Sequence, residues 1–326
     1  MGLDKDNNHF SELVSRAYKK LKSYAYYDKN AFYLKTTIAE FESDQTVDVF
    51  LKEFAVKLQN RDYSTRDTGA PIVLPKKVDK GNGLFFSNVP LNPTIKKIQC
   101  FTPMSIEDGI IAVLWVMTVG FKIDKGLLEE AYGNRVNKSH DSWSPHLFKP
   151  FPFQYSSWRD NGVKAAIRCV EDGKSCAFIN TDFSAFFYNL YLEESVREKI
   201  VSNYCEDELE SYLTKLVFGF IDAYSKDHFG GNVLPIGYPP SNVLSNYLLS
   251  GFDRRIHDNL LPEYYGRYVD DIILVVRFNP EDALKLESPS ELLWRELKKA
   301  GFNVKFSEQD AQPTNTLVMC LPNSKL

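Results

Sequence analysis

Apolar residues recur at helical spacing through residues 10–60. Phe10, Leu13, Val14, Ala17 and Leu21 mark one helical face, with Lys19, Lys20 and Lys22 between and after them. Val47, Phe50, Leu51, Phe54, Ala55 and Leu58 mark a second. This rhythm predicts an N-terminal helical extension over 1–60. It breaks over 61–99, where Pro71, Pro75, Pro90 and Pro93, with Gly81 and Gly83, predict loops and strands. Helix returns from Ser105 to Phe121, with Glu107 and Asp108 in the first turn, where the helix dipole favours acids. Leu127 to Tyr132 is expected to continue it. After a polar stretch from Gly133 to Ser144 come Trp143, Phe148, Phe151, Phe153, Tyr155 and Trp158. Most of these aromatics read as core, and a minority as stacking surfaces.

The second half alternates between the two periods. Cys176 to Ile179 is a short apolar run that ends at Asp182 and predicts a buried strand. Leu192 to Asn203 and Glu206 to Lys226 predict helices, and Val233 to Pro240 a Gly/Pro turn. Ser241 to His257 is a helix with Leu244, Leu248, Phe252 and Ile256 on one stripe. Tyr264 to Tyr268 and Ile272 to Arg277 predict strands, Pro289 to Ala300 a helix, and Phe302 to Phe306 a final strand. The order β-α-α-β-β-α-β is that of a split βαβ antiparallel sheet with helices on one face, an α+β design.

Composition narrows the class. Of 326 residues, 44% are hydrophobic and 25% charged, which fits a chain that buries a sizeable core and excludes disordered or collagen-like proteins. A net charge of −4 argues against a protein that coats nucleic acid by bulk charge. Residues 61–99 are locally basic: Arg61, Arg66, Lys76, Lys77, Lys80, Lys96 and Lys97 outnumber Asp62, Asp67 and Asp79. That stretch is either a solvated basic surface or a flap that holds phosphates. Five cysteines without a CxxC pair point to a reduced compartment, and scattered histidines give no zinc spacing. The opening MGLDKDNNHF has no apolar core, and Asp6 misses the myristoylation pattern. The apolar run Ile110 to Met117 is too short to span a bilayer. A cytoplasmic protein without a membrane partner is therefore expected.

Three segments carry candidate chemistry. In Tyr268-Val269-Asp270-Asp271, two carboxylates sit at a hairpin turn between apolar strands. Adjacent carboxylates repel and raise each other's pKa, a cost that a divalent cation removes. The alternative is a solvated Asp-rich turn, but the long apolar flanks anchor it in a core sheet. Asn180-Thr181-Asp182-Phe183 places a second acid at the exit of an apolar strand. If the two strands are neighbours, Asp182 and Asp270 can share cations, and Mg²⁺ takes carboxylates together with substrate phosphates. Such a set suits two-metal phosphoryl transfer. In Leu234-Pro235-Ile236-Gly237-Tyr238-Pro239-Pro240-Ser241, Gly237 allows close backbone approach and Ser241 suits a helix N-cap. An ordinary capped helix after a Pro-rich turn would read the same way.

In this order and spacing the segments resemble the palm of reverse transcriptases. Asp182 matches motif A, Leu234 to Ser241 with Asn246 motif B, Tyr268 to Asp271 the YxDD box of motif C, and Leu297 to Lys305 motif D. Tyr132-Gly133-Asn134-Arg135, followed by Phe148-Lys149-Pro150, resembles the fingers of bacterial defence-associated (abortive-infection) reverse transcriptases. The resemblance implies a right-hand polymerase with helical fingers over 61–165, a palm over 166–326 and a thumb that is short or absent. It implies dNTP addition to a DNA 3′ end, RNA-templated, non-templated or protein-primed, in antiphage defence. Asp182, Asp270 and the Phe183 carbonyl would hold two Mg²⁺ ions, with Mn²⁺ as a substitute and Asp271 as a supporting acid. Phe187 would be the steric gate against the ribose 2′-OH. Gly237, Ser241, Asn246 and Lys305 would contact substrate. Implied partners are dNTPs, an RNA template or structured non-coding RNA, the DNA product, and a second copy or partner protein. The usual finger arginines are replaced by Lys96 and Lys97, and motif D has Lys305 where a lysine nearer Glu308 is usual. Two other readings share the palm: a catalytically silent scaffold, against which all three acids speak, and an RNA-dependent RNA polymerase, which usually has Gly-Asp-Asp at the turn.

Overall fold

A computed structural model describes residues 7–28, 31–44, 46–65, 69–79, 94–137, 144–183, 185–228, 231, 233–278, 289–302 and 316–320. In chain order the elements are α1 (Asn7–Tyr27), α2 (Phe32–Asp44), α3 (Val47–Gln59), β1 (Ile72–Asp79), β2 (Thr94–Phe101), α4 (Ile106–Trp115) and α5 (Phe121–Lys125). They continue as α6 (Phe151–Glu171), β3 (Cys176–Asp182), α7 (Glu194–Tyr204), α8 (Glu208–His228) and α9 (Pro239–Leu260). The last are β4 (Tyr264–Tyr268), β5 (Asp271–Arg277), α10 (Pro289–Lys299) and β6 (Thr316–Cys320). Two compact units interleave along the sequence. The first takes Met1–Val119, His140–Leu147 and Leu190–Ser241, and the second Gly120–Ser139, Phe148–Asn189 and Asn242–Leu326.

The first unit is mainly helical. The stripe Phe10, Leu13, Val14, Ala17 and Leu21 of α1 is buried, as its spacing predicts. Ser105 caps α4 by accepting a hydrogen bond from the Asp108 amide. Behind that cap the run Ile110–Val116 is core, followed by a π-helical turn over Val116–Gly120. Trp115 donates to the Thr214 hydroxyl of α8 at 2.9 Å. Among the described residues no helix is long and apolar enough to cross a membrane. β1 and β2 form an antiparallel ribbon in which Lys77 pairs with Lys97 and Lys76, Lys77, Lys96 and Lys97 are all exposed.

The second unit holds a four-stranded sheet in the order β4-β5-β3-β6, with every neighbouring pair antiparallel. This is the order that a split βαβ arrangement produces. Helices cover both faces, not one. Trp158, Ala166 and Cys169 of α6 pack with Ile273 and Val275, while Ile256 of α9 and Leu292 and Leu293 of α10 pack with Ile272, Leu274 and Val276. The reason lies in β5. Ile272-Ile273-Leu274-Val275-Val276 is apolar at every position, whereas a strand with one wet face alternates.

Other expectations shift for local reasons. Leu127 to Tyr132 is not helical. The chain turns at Gly126 and then runs along β4, where the Arg267 amide donates to Glu130 O and the Tyr132 amide to Arg267 O, both at 2.8 Å. α9 starts at Pro239 rather than after Ser241, because Pro suits the first helical position and its missing N–H costs nothing there. Ser241 is therefore inside the helix, not its N-cap. Of the aromatic stretch expected to be mostly core, Trp158 is buried, but Phe151 and Phe153 are exposed. Most of the Phe302 to Phe306 strand lies outside the described residues, and the strand beside β3 is β6.

Candidate active site

Three carboxylates gather at one end of the sheet. Asp182 closes β3 and stands opposite Asp271, the first residue of β5. Asp270 lies in the turn Val269-Asp270 between β4 and β5, with Tyr268 paired to Asp271 across it. The Phe183 amide donates to Asp270 O at 3.0 Å and ties the two segments together. Asp182 is exposed, and Asp270 and Asp271 are half-buried. Burial, then the charges of Asp270 and Asp182, push Asp271 up to about 6. Tyr268 is pushed up to about 12 by burial and by Tyr155, so its phenol stays neutral.

The turn is strained and propped from below. Val269 has φ 57, a left-handed conformation that β-branched residues rarely adopt. Its carbonyl accepts from Arg267 Nη1 at 2.9 Å. Arg267 is fully buried. Its Nε and Nη2 donate to Asp253 at 2.8 and 2.7 Å, and Nη1 also donates to Asn246 Oδ1 at 2.9 Å. Asp253 further accepts from the Tyr265 hydroxyl at 2.5 Å. Asn246 Nδ2 donates to Gly133 O at 2.9 Å. Gly133 in turn lies against the turn: a Cβ there would come within 2.5 Å of the Val269 amide nitrogen. Arg135 fixes the loop that presents Gly133, donating to Asp124 Oδ1 and to the Leu128 and Ala131 carbonyls, each at 2.9 Å.

The remaining predicted site residues divide. Phe183 and Phe187 lie in the same unit as the acids. Phe186 is buried and stacks on Phe183 with centroids 6.1 Å apart, while Phe187 is half-buried. Asn246 is buried with both ends of its amide used inside the fold, so it supports the turn instead of facing substrate. Gly237 and Ser241 belong to the first unit. Gly237 has φ 87, and a Cβ there would lie 2.9 Å from the Tyr33 hydroxyl, so glycine is required. Ser241 is buried. Lys305 lies outside the described residues.

Arg267, Asp253 and Gly133 escaped the sequence reading as working parts of the site. A signal existed. Arg267 shares the strand period of Tyr265, and Asp253 stands two helical turns after Asn246 on α9, so charges occupy positions that periodicity gives to the core.

The donor set suits a hard divalent cation. Among the described residues no three His, Cys, Asp or Glu side chains form a ready metal cage. Mg²⁺ does not need one, since it is usually held by one or two carboxylates plus substrate phosphates and water. The like-charge repulsion that adds to burial in raising Asp271 is what such an ion relieves. A family model described as Reverse transcriptase (RNA-dependent DNA polymerase) matches residues 127–307. The match covers more than half of the chain and includes Gly133, Asp182, Asp253, Arg267, Asp270 and Asp271. Comparison with curated proteins finds no match.

Two outcomes follow. Asp253→Leu strands the Arg267 charge in the core and should cost about 3–5 kcal/mol in a urea melt, with much of it recovered by adding Arg267→Met. A loss below about 1 kcal/mol would show that water reaches the guanidinium. Asp271 has a raised pKa, so the folded state holds its proton more tightly and this group's contribution to stability falls as pH rises from about 4 to about 6. Asp271→Asn should therefore raise Tm at pH 7.5 without Mg²⁺, and the gain should vanish near pH 4. An equal Tm difference at both pH values would contradict the assignment.

Proposed function

The chain belongs to the reverse transcriptase (RNA-dependent DNA polymerase) family, and from that membership we propose that it adds dNTPs to a DNA 3′ end at Asp182, Asp270 and Asp271. The observation that carries this reading is the meeting of three carboxylates at one end of a sheet, with Asp271 raised first by burial and then by the charges of the other two. Asp182, Asp270 and the Phe183 carbonyl are the proposed ligands of two Mg²⁺ ions. When bound, Mg²⁺ stabilises the attacking and leaving oxygens of an in-line displacement. The strand's 3′-hydroxyl gives up its proton to solvent, its oxygen forms the new bond to the α-phosphorus of the dNTP, and the bond from that phosphorus to the β-phosphate breaks to release pyrophosphate. Asp271 is the supporting acid.

Phe187 is the proposed gate against a ribose 2′-OH. Its half-burial leaves ring surface open, whereas the neighbouring Phe186 is already used in packing. The Lys76, Lys77, Lys96 and Lys97 ribbon is the proposed phosphate-holding flap. In support, Lys77 and Lys97 face each other across the strands, an arrangement that costs energy until an anion lies between them. Gly237, Ser241 and Lys305 remain proposed substrate contacts by resemblance. A role in antiphage defence, with an RNA template or structured RNA as partner, draws support from the Tyr132-Gly133-Asn134-Arg135 and Phe148-Lys149-Pro150 segments.

The direct test is dNTP incorporation on an RNA template with a DNA primer in Mg²⁺. Asp182→Asn and Asp270→Asn should each lose at least about a thousandfold in kcat, the scale of removing a major charge-stabilising group, while melting no lower than the wild type. Near-normal polymerisation by either variant would remove that acid from the site. Phe187→Ala should raise NTP use relative to dNTP by at least about tenfold in kcat/KM, equal to about 1.4 kcal/mol. An unchanged ratio with a lowered Tm would show that Phe187 serves packing alone.

A further inference from the structure

The first turn of α6 displays rings that folding would ordinarily hide. Phe151 is 59% exposed and Phe153 71%, although the same helix buries Trp158. Phe151 is nevertheless held in place. Its ring stacks on Tyr155 with centroids 5.2 Å apart and planes 23° apart, and it meets Tyr268 edge-on at 5.6 Å and 90°. Tyr155 meets Tyr268 at 5.3 Å and Trp158 at 5.2 Å. A layer of rings thus runs from the buried Trp158 out to the open face of Phe151. Tyr268, inside that layer, leads directly into Val269-Asp270-Asp271.

A ring backed by other rings loses little freedom when something stacks on its open face. Lys149, two residues before Phe151 in the chain, is exposed, and its backbone is pinned by a 2.8 Å bond from its amide to Arg135 O. A fixed π-face with an exposed lysine two residues before it in the chain suits a nucleotide, with the base on the ring and the phosphate within reach of the cation. An apolar protein segment would fit the rings but leave Lys149 without a purpose.

We infer that Phe151, backed by Tyr155 and Tyr268, is a stacking platform for the base at the 3′ end of the growing strand, with Lys149 at its phosphate. The inference rests on the polymerase reading above, because the acids beside Tyr268 identify which end of the strand lies there. Phe151 acts as a positioning residue: it holds the strand end and leaves the chemistry to the carboxylates.

The test uses a DNA primer on an RNA template, with 2-aminopurine as the primer's 3′-terminal base, titrated with the full chain in EDTA and without dNTP. Anisotropy reads binding and quenching of the 2-aminopurine reads stacking. The wild type should quench on binding. Phe151→Leu keeps an apolar side chain without a π-face; it should lose the quench and bind at least about fivefold more weakly. Phe151→Trp should restore both. Lys149→Ala should weaken binding and keep the quench. Wild-type binding without quenching, or wild-type quenching and affinity in Phe151→Leu, would overturn the platform. So would a Phe151→Leu variant whose only change is in oligomeric state. Phe151 is largely exposed, so a melting curve that matches the wild type is expected and separates stacking from misfolding. A wild type that quenches yet incorporates no dNTP would support the platform and sink the polymerase reading instead.

Discussion

A guanidinium buried in an apolar sheet has no water to turn to, so Arg267 dictates where its neighbours stand. An isolated charge at such a depth costs several kcal/mol, and only well-aimed partners repay it. Asp253 supplies the counter-charge from α9, Asn246 a second acceptor from the same helix, and the Val269 carbonyl a third from the turn between β4 and β5. One side chain therefore fixes the distance between a helix, a strand and the hairpin that carries Asp270. The backbone of Arg267 adds the loop that contains Gly133 to the same assembly. Such a polar network holds only when its members are all satisfied, which favours one register of the turn over its alternatives.

That register is what makes the strained turn tolerable. Val269 would relax out of its left-handed conformation if the carbonyl were released, and Asp270 and Asp271 would move with it. Charge also has few places to go in this sheet. Both faces of β3 and β5 are covered by helices, so carboxylates can reach solvent and substrate only at the strand ends. The buried sheet and the exposed acids are two consequences of one arrangement, in which a dry scaffold concentrates negative charge at its rim.

Much of this was legible in the residues. The stripes of α1 and α3, the strands ending at Asp182 and flanking Asp270, and the order of the first three strands of the split βαβ sheet follow from periodicity and spacing, whereas β6 lies beyond the Phe302 to Phe306 segment that periodicity marks. Periodicity says which face is apolar but not what covers it, and so helices on both faces were missed even though β5 carries no polar position. α6 is hard to read from sequence because its first turn is aromatic and, beyond Trp158, its buried face is made of small residues, Gly162, Ala165, Ala166 and Cys169, which give a weak apolar signal. Leu127 to Tyr132 has helical spacing, but its hydrogen bonds go to β4, a tertiary choice that local sequence does not encode. The motif position of Asn246 points to substrate, and only the folded geometry shows both ends of its amide already occupied.

The central claim is that Asp182 and Asp270 form a cation site completed by nucleotide. Titration of Mn²⁺ into the protein, followed by the loss of its free-ion EPR signal with and without dNTP, addresses it most directly. Without nucleotide, binding should be weak; with dNTP, about two ions per chain should bind, as a two-metal centre requires. The Asp182→Asn/Asp270→Asn double variant should show no nucleotide-dependent uptake beyond that of free dNTP. Equal uptake by the wild type and the double variant would contradict the account.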